Sequence, residues 1–313
     1  MHERPTSSPA SAPVPGMRPE DQVRSGLYAL LERYLAALEA RSPDLVPWAE
    51  GAKTTENNVA LRIGDGLWGS VTGLGEYQLR FADLQLGSVG FHGVIEESGS
   101  RSPFALRLQT DGQRITEVET IVVRARDSGV PFVTAELTDR PSFNEIVPAG
   151  LRSSRAQLLE IANGYFDTLQ RNDGTLHVQF EDGCNRRENG TQTTNNPQAA
   201  EKYGFIMGLG CTEQFRLGYY RFDDRLRSRR ALVIDEERGL IMMAAFIDHS
   251  GRTGEYTLTD GRTVHSRTHG VNSRALLETF KVRGGRIADI EAVFTTVPYR
   301  MPSPWVAAGF HYE

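Results

Sequence analysis

A polar segment that reads CNRRENGTQTTNNP, residues 184–197, carries the residue types needed for acid/base chemistry. Arg186, Arg187 and Glu188 are consecutive in it, so on a strand Arg186 and Glu188 share one face while Arg187 takes the other. A carboxylate that lines a cavity can act as a general base, and a nearby arginine can stabilise an oxyanion. We therefore predict that Glu188 and Arg187 are catalytic and that Arg186 contacts the substrate.

The same segment also has a structural interpretation. A buried carboxylate beside an arginine forms an ion pair that can hold a fold together without any chemistry. Asn196 precedes Pro197, which predicts a capped helix beginning at Pro197. Asn189 is expected to contact the substrate under the first interpretation and to belong to a turn network under the second.

A histidine and several aromatic residues in the same half could complete such a site. His249 ends the apolar run LIMMAAFIDH directly after Asp248. This position predicts a general acid or base, with Asp248 in contact with the substrate. The alternative for His249 is a hydrogen bond to a loop carbonyl. Tyrosine hydroxyls can donate to an enolate or a phenolate, although buried tyrosines are often only core residues. The aromatic candidates are Tyr220 as a catalytic donor and Tyr165, Tyr203 and Phe215 as substrate contacts.

Two amphipathic helices and two strand hairpins must position these residues. Apolar residues at helical spacing indicate the helices, in LLERYLAALEAR (30–41) and LLEIANGYFDTLQR (158–171). The hairpins are LRLQTDGQRITEVETIVV (106–123) and FKVRGGRIADIEAVFTTV (280–297). Each half therefore has a long helix, a polar strand and then antiparallel strands. This is an α+β layout in which the helix covers a curved sheet.

The common order of these landmarks indicates an internal repeat. Glu56 in TTENN matches Glu188 in RRENG, and Glu119 matches Glu291 in the hairpins. Because Glu119 and Glu291 recur in both copies, we expect them to share a structural role. The predicted organisation is a disordered tail at 1–19, a degenerate first unit with a linker at 20–150, and a second unit with the site at 151–313.

The order of helix, strand, helix and strand hairpins resembles the nuclear-transport-factor-2-like superfamily. These cone-shaped α+β barrels include SnoaL-like polyketide cyclases and ketosteroid isomerases. Four segments of the second half are similar to a widespread, largely uncharacterised family of that superfamily in bacteria and fungi: CNRRENGTQTTNNP, CTEQF, RRALVIDEERGLIMMAAFIDHSG and VPYRMPSPW. The first half matches only as a degenerate copy without the arginine pair and the DEERG hairpin. We thus expect a tandem duplication of one cone.

Composition narrows the classes of partner. The chain has 313 residues, a formal net charge of -5 and 39% hydrophobic residues, enough for a folded core. Its charges alternate in sign and no apolar run reaches the length of a membrane helix, so we expect neither nucleic-acid nor membrane binding. The basic cluster at Arg227, Arg229 and Arg230 is interpreted as a solvated strand face. Without an apolar signal region or a disulfide framework, a cytoplasmic location is expected. A bridge between Cys184 and Cys211 and a homo-oligomeric state are left open.

The sequence leaves two alternative functions. The resemblance implies a cofactor-independent lyase or isomerase that moves a proton on a small, largely apolar, aromatic or polyketide-like substrate. The alternative is a non-catalytic small-molecule-binding or protein-interaction module. A titratable group with a strongly shifted pKa in an open cavity would favour catalysis. A cone filled by its own side chains would favour the alternative.

The purified protein is expected to carry no metal, flavin or nicotinamide. His265 and His269 in VHSRTHG have a spacing that suits a metal on a helix, but the surrounding residues indicate a loop without further ligands. The loop at 250–272 is interpreted as a lid over the cone. No glycine-rich segment forms a dinucleotide-binding loop. Elemental analysis and an absorption spectrum test this expectation, which stoichiometric metal or a flavin band would contradict.

Overall fold

The structure, a computed structural model, describes residues 18–124, 133–135, 137–266, 268 and 270–306. Within these ranges the α-helices are α1 (Pro19–Glu39), α2 (Leu67–Ser70), α3 (Pro141–Asn144), α4 (Arg155–Arg171), α5 (Pro197–Tyr203) and α6 (Cys211–Arg216). The strands are β1 (Trp48–Glu56), β2 (Val59–Leu61), β3 (Val71–Asp83), β4 (Ser88–Glu97), β5 (Ser100–Thr110), β6 (Ile115–Val122), β7 (Phe180–Glu188), β8 (Thr191–Gln192), β9 (Arg225–Asp235), β10 (Leu240–His249), β11 (Glu255–Thr257), β12 (Thr263–His265), β13 (Asn272–Arg283) and β14 (Arg286–Val297). The predicted tail at 1–19 lies outside the described residues up to residue 17, and Pro19 already belongs to α1.

Two six-stranded sheets have the same strand order. The first runs β2-β1-β6-β5-β4-β3 and the second runs β8-β7-β14-β13-β10-β9. Each sheet is antiparallel except for one parallel pair, which is β1 with β6 in the first sheet and β7 with β14 in the second. The mixed α+β class is therefore confirmed, and each long helix precedes the sheet of its own half as predicted.

A left-handed asparagine follows the polar strand of each half. Asn57 and Asn189 both have φ of 48°, a conformation that asparagine tolerates better than most residues. The amide nitrogen of Asn189 donates to the backbone oxygen of Phe294 at 3.0 Å, and its amide oxygen accepts the Phe294 N–H at 2.9 Å. Asn57 makes the same pair of bonds with Val122, at 3.0 and 2.9 Å. Each side chain thus ties its turn to the neighbouring parallel strand.

Each long helix packs on one face of its own sheet. In the first half α1 buries Leu31 and Leu38 against that sheet. In the second half α4 buries Leu158 and Tyr165 against β10, β13 and β14. A capping box at Ser154 starts α4, which fixes where the helix begins. The cavity described below lies on this helix-covered face of the second sheet.

The other faces of the two sheets pack on each other in a shared apolar core. This core also buries charged pairs. Arg230 donates to Glu119 at 2.6 Å, and Arg187 donates to Glu291 at 2.7 Å. The structural role expected for Glu119 and Glu291 is therefore confirmed, because each carboxylate neutralises a cation at the junction of the sheets.

The basic cluster on β9 is not the solvated face that the sequence predicted. Arg227 is 2% exposed, and its Nε donates to Asp248 at 2.9 Å. Arg230 reaches Glu119 across the junction, and Arg229, on the side of α4, pairs with Asp167; both are half-buried. The reason is that β9 packs against the first sheet, so cations on that face require buried carboxylates.

Three local features connect the polar segment to its surroundings. Cys184 and Cys211 form a disulfide that joins β7 to α6. The predicted cap is confirmed, since the Asn196 side chain accepts the Ala199 N–H at 3.0 Å and α5 begins at Pro197. Among the helices of the described ranges, none has the length and apolar character required to span a bilayer.

Replacing Asn189 with glycine should destabilise the protein without straining the turn. Glycine adopts positive φ readily, so the change removes the two buried hydrogen bonds to Phe294 and leaves the backbone conformation accessible. We expect the free energy of unfolding to fall by about 2–4 kcal/mol, measured by urea denaturation. Asn57→Gly should behave alike. Asn163→Ala, which removes one solvent-exposed hydrogen bond on α4, is the control and should change stability little; an equally small effect of Asn189→Gly would contradict the bridging role.

Candidate functional site

A cavity of about 190 Å³ lies in the second half, between the helix-covered face of the second sheet and the segment that follows α5. Its wall is mixed in polarity, and the apolar part includes Leu276, Ala292 and Phe294. Polar groups from several elements interrupt this wall. The charged lining residues are Arg186, Glu188, Asp223, Arg274 and Glu278, and the lining tyrosines are Tyr165, Tyr219 and Tyr220. Four of the predicted site residues are therefore brought together: Tyr165, Arg186, Glu188 and Tyr220.

Arg186 is a buried cation with hydrogen-bond acceptors at both its Nε and its Nη2. Its Nε donates to the Thr193 hydroxyl at 3.2 Å, and its Nη2 donates to Gln214 Oε1 at 2.5 Å and to the Tyr220 hydroxyl. Burial opposes the charge of Arg186, but the charge of Glu188 and the Tyr220 hydroxyl outweigh burial, so its pKa lies well above the usual value. Arg186 is a fixed positive charge in the cavity wall.

Glu278 is a buried carboxyl on β13 that faces the same cavity. It pairs in register with Ala292 of β14, which pairs in turn with Glu188 of β7. Glu278 and Glu188 therefore share a face two strand spacings apart, roughly 10 Å between Cα atoms. Burial and the charge of Glu188 raise the pKa of Glu278 to about 8, and Arg186 and Tyr165 offset only part of that rise. At neutral pH Glu278 keeps its proton.

Two tyrosines place hydroxyl donors beside these charges. Burial and the nearby Glu278 raise the pKa of Tyr165 well above its usual value. Burial also raises the pKa of Tyr220, whose hydroxyl donates to Gln214 at 2.6 Å. Both phenols therefore stay protonated, so they act as hydrogen-bond donors and not as bases.

His249 lies behind the cavity wall, which differs from both interpretations of the sequence. Its side chain is fully buried, and its Nε2 lies 2.7 Å from Asp223 Oδ1. Asp223 is the member of this pair that lines the cavity. His249 does not reach the cavity or bind a loop carbonyl through Nε2, and we assign it a positioning role for Asp223.

Two predicted site residues face the other side of the sheet. Arg187 donates to Glu291 and to the Thr138 backbone oxygen, in the junction between the sheets. Asp248 accepts hydrogen bonds from Arg227 and from Ser273 at 2.5 Å. The expected catalytic role of Arg187 and the expected substrate contact of Asp248 do not fit these positions. The physical reason is the two-residue alternation of β7 and β10, which directs neighbouring side chains to opposite faces.

Three further candidates contact other parts of the protein and do not line the cavity. Asn189 holds the turn after β7 and is fully buried. Tyr203 ends α5, with the Lys202 ammonium 4.8 Å from its ring centroid, and it does not line the cavity. Phe215 lies in the aromatic core 5.7 Å below the Arg186 guanidinium. The structure therefore gives no direct substrate contact to Asn189, Tyr203 or Phe215.

Sequence reasoning missed Asp223, Arg274 and Glu278. The signal for Glu278 and Arg274 was available, because both lie at alternate positions with Leu276 on one face of an otherwise apolar strand. A charged residue on the buried face of such a strand is costly unless it has a partner or a function. Asp223 gave no comparable signal, since it lies in a turn before β9.

The predictions on metal and on the lid concern the segment 250–272. In the described part of the chain, no cluster of histidine, cysteine, aspartate and glutamate could hold a metal ion. His265 belongs to β12, whereas His269 lies outside the described residues. Leu258 of this segment packs in a small apolar cluster, and Thr268 lines the cavity. Its role as a lid stays a prediction.

Comparison with known proteins gives a family model for the second half. Residues 151–294 match a domain of unknown function, DUF8021. None of the curated proteins matches the chain.

Among solved structures, the BvnE pinacolase from Penicillium brevicompactum is 15% identical, with 32% of this chain and 87% of that one covered and a TM-score of 0.27. AusH from Aspergillus nidulans is 12% identical, with 34% and 88% covered and a TM-score of 0.28. A ketosteroid isomerase candidate from Kribbella flavida is 17% identical, with 40% and 93% covered and a TM-score of 0.28. These likenesses extend over less than half of the chain and assign no function to it.

Replacing Glu278 with glutamine should change how stability depends on pH. The pKa of Glu278 is raised, so its contribution to stability is complete below the unfolded pKa of 4.5 and is lost as pH rises through about 8. Glutamine cannot ionise. We therefore expect the stability of Glu278→Gln relative to the native chain to rise by about 3–5 kcal/mol from acid to mildly alkaline pH.

Urea denaturation at several pH values measures this difference. Glu160→Gln, on the exposed side of α4, is the matched control and should show no comparable trend. A stability difference between Glu278→Gln and the native chain that stays flat with pH would mean that Glu278 titrates like an ordinary carboxyl.

Proposed function

We propose that the chain is a cofactor-independent isomerase or lyase that moves a proton on a small, largely apolar, one-ring carbonyl compound. The observation that carries the proposal is a pair of carboxyls on one cavity face in opposite charge states. Glu188 is the charged member, since it lies 3.6 Å from Arg186 and its charge raises the pKa of Glu278. Glu278 is the protonated member. Two neighbouring carboxyls, of which one has a raised pKa and keeps its proton, can supply a base and an acid at one pH.

The proposed reaction needs no group from outside the chain. The Glu188 carboxylate takes the proton of a C–H bond next to the carbonyl, and the electron pair moves onto the carbonyl oxygen. Glu278 gives its proton to that oxygen, which produces an enol. For an isomerisation, Glu278 then takes back the oxygen proton while Glu188 delivers its own to the new carbon. Tyr165, which stays protonated, is suited to donate to the developing oxyanion.

The cavity volume limits the substrate. An apolar cavity of about 150 Å³ holds a benzene molecule. The 190 Å³ cavity therefore suits one ring with small substituents, and a multi-ring polyketide would require the wall to open. The empty volume suits a small ligand under either function, and the shifted pKa of Glu278 favours catalysis over a non-catalytic binding module.

The asymmetry between the halves also supports a site in the second half. Thr54 and Leu106 occupy the places in the first sheet that Arg186 and Glu278 hold in the second, as judged from strand register. Glu56 corresponds to Glu188, but it is occupied by Arg124 at 2.9 Å and by a backbone N–H at 2.8 Å. We further infer that the halves arose by tandem duplication of one nuclear-transport-factor-2-like cone, of which only the second kept the chemistry.

Deuterium exchange on a panel of one-ring ketones and enones in D2O tests the proposal, because exchange reports C–H proton removal whatever the product. We expect Glu188→Gln to slow exchange by about 10²-fold or more while the protein stays folded, since it removes the base. Above a pH of about 8 the native rate of product formation should fall, because Glu278 loses its proton. The Glu278→Gln protein should form product slowly at every pH, and its rate should not fall further above a pH of about 8.

Glu181→Gln is the matched control on the same strand. Glu181 pairs with Arg283 outside the cavity, at 2.6 Å, so its replacement should leave the exchange rate unchanged. A folded Glu188→Gln protein that exchanges at the native rate would show that the base is another group.

A further inference from the structure

Arg274 is a charged group of the cavity that the proposed reaction does not use. It lies on β13 and shares the cavity face with Leu276 and Glu278. Its guanidinium carbon is 5.2 Å from the centroid of the Phe294 ring. Among the described residues the Arg274 side chain forms no hydrogen bond or ion pair, in contrast to Arg186, whose Nε and Nη2 both have acceptors.

The charge of Arg274 is incompletely balanced. Burial lowers the pKa of Arg274, and the charges of Asp223 and Glu188 offset only part of that effect. An arginine nevertheless stays protonated in proteins, because its intrinsic pKa is so high. A half-buried cation without a direct partner is unfavourable, and an anion that enters the cavity would relieve this cost.

We infer that the substrate of the proposed reaction carries a carboxylate, and that Arg274 binds this carboxylate at the end of the cavity away from Glu278. This inference rests on the proposed function for the identity of the reacting end. A guanidinium binds a planar carboxylate through two parallel N–H···O bonds. A single negative charge also suits the cavity better than a doubly charged phosphate, since the acidic residues Asp223 and Glu188 already line the cavity.

The spacing along β13 sets the size of the ligand. Arg274 and Glu278 are four residues apart on one face, roughly 13 Å between Cα atoms. Leu276 lies between them on this face, and Phe294, its partner in register on β14, also lines the cavity. A ring with a carboxylate on one side and the reacting carbonyl on the other spans this distance. The ligand class is therefore a one-ring carboxylate.

Isothermal titration of the full chain with benzoate, and with benzamide as its neutral isostere, tests the inference. We expect benzoate to bind at least about ten-fold more tightly than benzamide. Arg274→Gln should weaken benzoate binding by about 10- to 100-fold and leave benzamide binding nearly unchanged, because only the anion uses the guanidinium. Arg286→Gln, an exposed arginine in the β13–β14 hairpin, is the matched control and should bind benzoate as the native chain does.

The outcomes separate this inference from the proposed function. Equal binding of the two compounds, no saturable benzoate binding at millimolar concentration, or native affinity in a folded Arg274→Gln protein would each overturn the carboxylate anchor. If Arg274→Gln does not fold, Arg274→Lys decides: about ten-fold weaker benzoate binding supports the two-bond pairing, and native affinity overturns it. Glu278→Gln should still bind benzoate; if it does and Glu188→Gln exchanges protons at the native rate, the proposed function fails while the anchor stands.

Discussion

The burial of the Arg186 guanidinium is the constraint on which the second half depends. A desolvated cation must be matched by acceptors, and these come from Thr193, Gln214 and Tyr220. Gln214 belongs to α6 and Tyr220 to the turn after it, so the hydrogen bonds tie that segment to β7. The disulfide between β7 and α6 joins the same two elements. The cavity exists because this segment is held above the sheet and not collapsed onto it.

Because successive side chains of β7 point to opposite faces of the sheet, its two arginines have different roles. Arg186 faces the cavity, whereas Arg187 faces the first sheet, where Glu291 balances it. A comparable buried pair, Arg230 with Glu119, crosses the junction from the other direction. Both pairs lie at the junction of the sheets in largely desolvated surroundings, so both favour one relative arrangement of the sheets. The polar segment thus serves the site through one face and the junction through the other.

The parts of this organisation that follow from periodicity could be predicted from the sequence. Two-residue alternation placed Arg186 and Glu188 on one face, and the recurring glutamates gave the correspondence between the two sheets. The predicted roles of Arg187 and Asp248 ignored that same alternation and were wrong for this reason.

Features that depend on tertiary contacts could not be predicted in this way. Asp223 becomes part of the cavity only because a turn brings it to His249. The unusual pKa of Glu278 requires the neighbouring strands, since Glu188 is 90 positions away in sequence and two strands away in space.

Together these contacts couple the two carboxyls. Because the charge of Glu188 raises the pKa of Glu278, a proton that moves onto Glu188 removes this effect and makes Glu278 a stronger acid. Proton gain at one carboxyl therefore promotes proton release at the other, which is the order of events that a proton shift along a substrate requires. The total charge of the carboxyl pair and the substrate stays constant during such a shift, so the shift adds no net charge to the cavity.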